Sequence, residues 1–177
     1  MRDDSDDSEA RARATWLRAR QAWGGTITAL EFGETASAVA VGARSEPERV
    51  IRIPLGVGDL ARRYFQAPRP GESAIEAAIA EVEELIMPLR SLVPRDSRCA
   101  TGDPRVIRIA QALEAPPGPG LCLSTQGVEL GFNRWVSIAL GRPATQDTIP
   151  TDPGFAASLL LLREWLHHMS FENIGVV

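Results

Sequence analysis

The segment from residue 26 to residue 55 constrains the fold most strongly, because it has strand character throughout. Its predicted strands are Thr26–Phe32, Ala36–Ala43 and Val50–Leu55. In the last of them Ile51, Ile53 and Leu55 alternate with other residues, which places them on one face. The two links are short and polar, and links this short force neighbouring strands to run antiparallel. The segment therefore predicts a three-stranded antiparallel meander.

Helical patterns surround this meander on both sides. The predicted helices cover residues 9–23, 57–66, 73–89, 105–115 and 153–169. Ser73 and Glu76 have the spacing of a capping box, and Pro88 should end that helix early. Asp103 and Asp152 each precede a proline, a combination typical of a helix start. The last helix is apolar nearly all round, so we expect it to be buried.

A second β region is predicted after the rigid loop Ala115–Gly120. Its expected strands are Leu121–Thr125, Val128–Phe132 and Arg134–Leu140, which alternate apolar and polar residues. The predicted fold class is thus α+β: an antiparallel meander followed by helices, a second short β region and a buried C-terminal helix. We expect residues 1–8 to form a disordered acidic head and residues 9–177 to form a single domain.

Two apolar features indicate self-association. Trp16 and Trp23 share one face of the first helix, which would dock on its own domain or on a sister subunit. The tail Ile174–Val177 would leave an exposed apolar edge unless it joined a sheet or a partner. Because most soluble oligomers have twofold symmetry, a homodimer is the first prediction.

The chain contains no lysine, and all 19 of its basic residues are arginine. A P-loop and a protein-kinase site both need a lysine that reaches the phosphates. Schiff-base chemistry and pyridoxal-phosphate enzymes need a lysine amine. These classes are therefore excluded, and the sequence predicts no cofactor.

The net charge and the length of the apolar runs limit which partners and which cellular locations are possible. The net charge is −4, so the chain lacks the excess of basic residues that binding to nucleic acid requires. No apolar run is long enough to span a bilayer, and Met1–Arg11 has no apolar core of a signal peptide. Cys99 and Cys122 are the only cysteines, so we expect two free thiols in a reducing cytoplasm.

Cys122, His167 and His168 are the candidate catalytic residues. The two histidines are adjacent on a helix and point about 100° apart, so they cannot chelate one metal together. Glu164 precedes His168 by one turn, and this pair could supply two metal ligands. The structural alternatives are histidines that interact with the helix dipole and a cysteine that acts as a small buried hydrophobe.

Asn133, Arg134 and Trp135 are the candidate ligand-binding residues. They offer an amide, a guanidinium and a flat ring after glycines that let a ligand approach the backbone. Such a set would orient a small polar or anionic ligand. The same letters also fit an ordinary strand with a glycine bulge.

The order strand–turn–strand–turn–strand–helix resembles the start of RNase H-like and actin-like domains. In those families an acidic residue near the end of the first strand holds a metal, and Glu31 and Glu34 are the acidic residues there. The usual aspartate is absent, and an actin-like ATPase also needs a second lobe. A metal-dependent nuclease needs further carboxylates, for example Glu76 or Asp103, to converge on that strand. We take the resemblance as one of element order only.

These observations favour a small non-enzymatic accessory or ligand-binding protein that acts as a homo-oligomer. One alternative is a small hydrolase, which would use the Cys122 thiol with a histidine or a metal held by acidic residues and His168. Another alternative is an interaction module that docks on a larger assembly through residues 1–23.

Overall fold

The computed structural model describes residues 4–67, 69–115, 120–143 and 147–177, and within these ranges it contains six α-helices and six strands. The helices are α1 (Asp4–Trp23), α2 (Val57–Tyr64), α3 (Glu72–Ile86), α4 (Pro104–Ala112), α5 (Thr125–Ala139) and α6 (Pro153–His168). The strands are β1 (Ile27–Glu31), β2 (Ser37–Gly42), β3 (Arg49–Ile53), β4 (Arg98–Thr101), β5 (Cys122–Ser124) and β6 (Asn173–Val176). The predicted α+β class is confirmed.

All six strands form one mixed sheet in the order β3-β2-β1-β4-β6-β5. The first three strands pair antiparallel, as expected of the meander. β4 pairs parallel with β1, and β6 pairs parallel with β4. The carboxyl ends of β1, β4 and β6 therefore lie at the same edge of the sheet.

Among the described residues, α1 is the helix that covers one face of the sheet, and small side chains make this contact close. Alanines of β1, β2 and β4 face the helix, together with Ile27. Ala12, Trp16 and Ala19 of α1 are fully buried against them, and the indole Nε1 of Trp16 donates a hydrogen bond to the Ile27 carbonyl at 3.2 Å. The apolar stripe of α1 is thus occupied by the chain's own sheet, so it is not free to dock on a larger assembly.

The acidic start of the chain differs from its prediction. Residues 4–8 belong to α1, whereas the sequence predicted disorder through residue 8, and residues 1–3 lie outside the described residues. Asp7 forms an ion pair with Arg11 one turn later. Such pairs stabilise a helix, as do acidic residues near its amino end.

Helix α6 lies at the centre of the other face, where it contacts α2, α3, α4 and α5. Eleven of its sixteen residues are buried, including Phe155, Leu159 and Trp165. A helix that is apolar all round needs cover on most sides, and the four neighbouring helices supply it. Among the described residues no helix combines the length and the apolar character that crossing a bilayer requires.

The second β region was predicted wrongly over most of its length. Only Cys122–Ser124 is a strand, and the expected strands Val128–Phe132 and Arg134–Leu140 belong to α5. The Ser124 Oγ accepts a hydrogen bond from the Gly127 amide at 3.0 Å and caps the helix. The buried positions of α5 are Val128, Gly131, Phe132, Trp135, Ile138 and Ala139, which have helical spacing.

The C-terminal tail is an inner strand of the sheet. β6 lies between β4 and β5, and Gly175 pairs with Ala100 on one side and with Cys122 on the other. The tail thus leaves no exposed edge of the kind that motivated the prediction of a homodimer. That prediction stays untested.

Helix α3 begins one residue earlier than expected. Gly71 is its N-cap residue and no side chain caps it, so the predicted capping box of Ser73 and Glu76 is wrong. Pro88 was predicted to end this helix early, and α3 does stop at Ile86, where a 3₁₀ turn over Met87–Ser91 follows it.

Candidate functional site

A cleft opens at the edge where β1 and β4 end, beside the amino ends of α2, α4 and α6. Its volume is about 190 Å³. It is lined by Glu34, Val57, Gly58, Ala61, Arg105, Arg108, Gly154, Phe155 and Ser158. In open α/β sheets, ligands bind outside the carboxyl ends of the strands, where the connections diverge to opposite sides. β1 and β4 are parallel neighbours, and both have their carboxyl ends at this edge.

The turn after β1 forms one wall of the cleft and is held by the amino end of α2. The Val57 amide donates to the Gly33 carbonyl at 2.8 Å, and the Asp59 amide donates to the Glu34 carbonyl at 3.1 Å. A Cβ atom at Gly56 would lie 2.2 Å from the backbone of Glu34. Only glycine permits this close approach, so the turn is fixed against α2.

The buried Asp103 joins the end of β1 to the start of α4. Its Oδ2 accepts a hydrogen bond from the Phe32 amide at 2.9 Å, and its Oδ1 accepts one from the Arg105 amide at 2.8 Å. The guanidinium of Arg105 then reaches the Glu34 carboxylate across the cleft. Asp103 therefore acts as an N-cap that also sets the position of Arg105.

A second capping aspartate, Asp152, holds Arg108 on the other side of the cleft. Asp152 accepts a hydrogen bond from the Phe155 amide at 3.0 Å and two from the Arg108 guanidinium, at 3.1 and 2.6 Å. The hydrogen bond from Arg108 is the largest cause that lowers the pKa of the Asp152 carboxyl. The guanidinium also lies over the Phe155 ring, 5.4 Å from its centroid. Arg108 is therefore fixed by one contact on each side.

The chemistry of the cleft suits an anion. Two guanidinium groups line it and favour negative charge, and they are its main donors because Asp103 and Asp152 already cap the amino ends of α4 and α6. Arg108 is half exposed and is therefore open to a ligand. Glu34 has a half-exposed carboxylate on the same cleft, which can accept a hydrogen bond or a proton.

Sequence reasoning did not find Arg105 and Arg108. The sequence did contain a signal for them. The Asp103-Pro104 pair predicts a helix start, and the two arginines follow Asp103 by two and five residues. Arginines three residues apart in the first turns of a helix lie on one side of it, near its amino end. Nothing in the sequence, however, indicated that α6 would bring a second amino end to the same place.

Glu31, the other acidic residue at the end of β1, lies outside the cleft. Its side chain is fully buried beneath α1, where one oxygen accepts hydrogen bonds from the Thr15 hydroxyl and the Gly102 amide, both at 2.7 Å. The Nε of Arg11 lies 3.6 Å from its other oxygen. Burial raises the pKa of the Glu31 carboxyl. This residue ties α1 to the sheet and is not placed to hold a metal in the cleft.

The structure does not bring together the three residues that were predicted to bind a ligand. Asn133, Arg134 and Trp135 lie on successive positions of α5, and a helix turns such residues in different directions. Asn133 is exposed, whereas Trp135 is buried in an edge-to-face contact with Phe65. Arg134 binds Asp147 at 2.6 Å, and this contact holds the pKa of that carboxyl well below its usual range. The prediction assumed a strand, whereas the helix directs the amide, the guanidinium and the indole ring to different sides.

The thiols lack the properties of a nucleophile. Cys122 is exposed and Cys99 is buried, and burial raises the pKa of both, that of Cys99 to about 12. A nucleophilic cysteine needs a lowered pKa. Within the described part of the chain, His167 and His168 face glutamates rather than Cys122. The thiol-dependent route is therefore not supported.

His168 does meet carboxylates, and one of them was not predicted. Its Nε2 lies 3.2 Å from Glu164 on the same helix and 3.1 Å from Glu83 of α3. Burial raises the pKa of the Glu164 carboxyl. The pair proposed from the sequence is thus part of a three-residue group that could hold a cation. His167 lies outside it, with its Nδ1 3.6 Å from Glu129.

The sequence matches no protein-family model and no curated protein. Solved structures do resemble the fold. A Ppx/GppA enzyme of Aquifex aeolicus has a TM-score of 0.76 and 14% identity, over 95% of this chain and 59% of its own. An exopolyphosphatase-like protein has a TM-score of 0.74 and 13% identity, over 96% and 60%. An exopolyphosphatase of Cytophaga hutchinsonii has a TM-score of 0.66 and 13% identity, over 95% and 59%. This chain spans about three-fifths of each.

These neighbours correct the functional prediction. They are described as phosphatases and exopolyphosphatases, so the prediction of a non-enzymatic accessory or ligand-binding protein is wrong. The alternative of a small hydrolase agrees better with them. At identities of 13–16% the likeness establishes architecture and no more. The chain therefore has an α+β fold of the Ppx/GppA type.

Proposed function

We propose that this chain binds a phosphate chain in the cleft between α2, α4 and α6 and takes part in hydrolysing its terminal phosphoanhydride bond. The observation that carries the proposal is the convergence of Arg105, Arg108 and the amino end of α6 on one cleft. The fold similarity to exopolyphosphatases supports a polyphosphate as the substrate. Because the chain spans about three-fifths of those proteins, the complete activity is part of the proposal.

The two arginines would bind the phosphoryl oxygens. A guanidinium presents paired N–H groups that match two oxygens of a phosphate, and backbone amides at a helix amino end add further donors. In the structure Arg105 contacts Glu34 and Arg108 contacts Asp152. A phosphoryl group carries more charge than a carboxylate, so it competes for the same donors. These ion pairs would hold the arginines in place until the substrate arrives.

Glu34 would orient the attacking water. It is half exposed, lines the cleft and lies on the turn that α2 holds in place. The water oxygen would attack the terminal phosphorus while its proton passes to the Glu34 carboxylate. The bond to the bridging oxygen breaks, and its electron pair stays on the shortened chain as a phosphate oxyanion. The arginines would stabilise the charge that spreads over the phosphoryl oxygens.

The test is release of inorganic phosphate from polyphosphate in the presence of Mg²⁺. We expect Arg108→Ala to lower kcat/KM by about 100-fold or more, the usual effect of losing one donor to a developing charge. Arg44→Ala is the matched control, since Arg44 is exposed and pairs with Glu48 away from the cleft. Equal rates in both variants, or no phosphate release by the unaltered protein, would contradict the proposal.

A cytoplasmic location remains part of the proposal. It rests on the two cysteines, because a chain with free thiols suits a reducing compartment. Fractionation of the source cells would test it.

A further inference from the structure

Glu83, Glu164 and His168 converge where α3 crosses the carboxyl end of α6. The ring Nε2 of His168 lies 3.1 Å from a Glu83 oxygen and 3.2 Å from a Glu164 oxygen. That nitrogen carries at most one hydrogen, yet it faces two carboxylate oxygens that come from two helices. The group therefore presents three ligand atoms to one point.

The spacing of these atoms fits a tetrahedral zinc ion. Zinc binds nitrogen and oxygen ligands at about 2.0–2.2 Å, so ligand atoms on a tetrahedron around it lie about 3.3–3.6 Å apart. The two distances from His168 are within about 0.2 Å of this range, and all three atoms lie within 4.8 Å of one another. Glu83 is partly exposed, so its side chain can adjust its position to complete the geometry.

Neighbouring groups position the buried carboxylate. Glu164 is fully buried, and Arg163 binds the oxygen that does not face His168. Arg163 is held in turn by Glu129, with the Nε 3.0 Å from a carboxylate oxygen. Partners of this kind orient a ligand before the metal arrives. They leave the second oxygen of Glu164 directed at the shared point.

The charge and the access also suit a divalent cation. Two ionised carboxylates would bring two negative charges, and Arg163, which is shared with Glu129, is the arginine that contacts the group among the described residues. One divalent ion would offset this charge, which a buried carboxylate otherwise bears at a cost. Glu83 is partly exposed, so solvent can reach the site and a water molecule can take the fourth position.

We propose that Glu83, Glu164 and His168 bind a zinc ion that links α3 to α6. The ion would have three protein ligands and one water molecule. The site is separate from the phosphate cleft, because Gly154 and Glu164 are ten residues apart on α6, or about 15 Å along the helix. Its role is independent of hydrolysis: it would join two helices of the core.

Equilibrium dialysis of the purified chain against Zn²⁺, with the metal counted by mass spectrometry, tests the proposal. We expect one zinc per chain, and a rise in Tm of about 5–10 °C when free zinc is at 100 times its Kd. Co²⁺ in the same site should give the visible absorption of a tetrahedral complex. Absence of a zinc ion bound in the micromolar range would overturn the proposal.

The neighbouring histidine provides a matched control. His168→Ala should abolish the bound zinc and the rise in Tm, whereas His167→Ala should keep both, because His167 faces Glu129 instead. Glu83→Gln changes a partly exposed side chain and should also lose the zinc while the metal-free protein stays folded. Zinc that persists in His168→Ala and in Glu83→Gln would show that it binds elsewhere and would overturn the assignment.

Discussion

The two ends of α6 carry opposite chemistry. At its amino end, Asp152 caps the helix and Arg108 faces a cleft suited to an anion. At its carboxyl end, His168 lies between the carboxylates of Glu83 and Glu164, an arrangement suited to a cation. The helix dipole has the matching sign at each end, positive at the first and negative at the second.

The difference between the two ends follows from what surrounds them. The amino end opens at the edge of the sheet, so a ligand can approach it from solvent. The carboxyl end is packed against α3, and Glu164 is completely buried there. A buried apolar helix can therefore hold one open site and one more deeply buried site at a fixed distance, provided that its middle stays packed.

The largest expected effect comes from breaking this shared support. Leu159 is fully buried in the middle of α6, so Leu159→Ala should lower the free energy of unfolding by about 2–5 kcal/mol. Leu130→Ala removes the same atoms from an exposed side chain of α5 and should cost far less. Urea denaturation measures both. Similar losses in the two variants would mean that α6 is not the central support.

A smaller loss should follow when the cleft wall is overpacked. Gly56 and Gly71 are both N-cap residues of helices, but only Gly56 has backbone atoms within 2.2 Å of a would-be Cβ. Gly56→Ala should therefore cost about 1–3 kcal/mol more than Gly71→Ala. Thermal denaturation of the two variants gives the comparison. A null difference would contradict the close contact between α2 and the turn after β1.

The charge at the amino end of α6 can be changed without removing its cap. Asp152→Asn keeps a capping oxygen, whereas Asp152→Ala loses it and should cost about 1 kcal/mol. Both variants remove the negative charge that pairs with Arg108, so calorimetry should show that both bind tripolyphosphate more tightly than wild type does. Weaker binding would show that Asp152 is needed to position Arg108.

The same residue predicts a pH dependence. Arg108 lowers the pKa of Asp152 in the folded state. The stability from this pair is therefore present above the unfolded pKa of Asp152 and is lost as the pH falls through the folded value. Urea denaturation of wild type and Asp152→Asn at several acid pH values should show their stabilities converging as the pH falls. A difference in stability between the two proteins that stays constant with pH would contradict the ion pair between Asp152 and Arg108.

The smallest effect concerns Glu31, the carboxylate near the cleft that faces α1. Burial raises its pKa in the folded state, so it favours folding at low pH and this contribution is lost as the pH rises through the folded value. As the pH rises from acid to neutral, the free energy of unfolding should therefore fall less in Glu31→Gln than in wild type. Urea denaturation across that interval measures the two slopes, and equal slopes would contradict the assigned burial.

Local patterns predicted the meander and the starts of α4 and α6 correctly. Alternating residues such as Ile51 and Ile53 between short turns leave few other arrangements. Asp103 and Asp152 cap their helices as expected, because the side chain and the following proline act on adjacent backbone. These features depend on residues that are close in sequence.

The errors arise where local patterns compete or where distant segments meet. From residue 125 to residue 139 the glycines and alternating polar residues favoured strands, yet the Ser124 cap and the spacing of Val128, Phe132 and Trp135 fit a helix. The cleft combines residues from positions 34 to 158, and the cation group combines Glu83 with residues 81 and 85 positions later. No sequence spacing predicts such contacts, because tertiary packing creates them.

The most direct test of the central claim is titration of the ¹⁵N-labelled chain with tripolyphosphate, followed by amide NMR. We predict that the amides of Gly58 and Gly154, which line the cleft, shift and that Arg108→Ala suppresses both shifts. A larger cleft of about 520 Å³ at the opposite edge of the sheet, lined by Gly120 and Gly175, serves as the internal comparison. Shifts confined to Gly120 and Gly175, or no saturable shift at Gly58 and Gly154, would contradict a phosphate site at the amino end of α6.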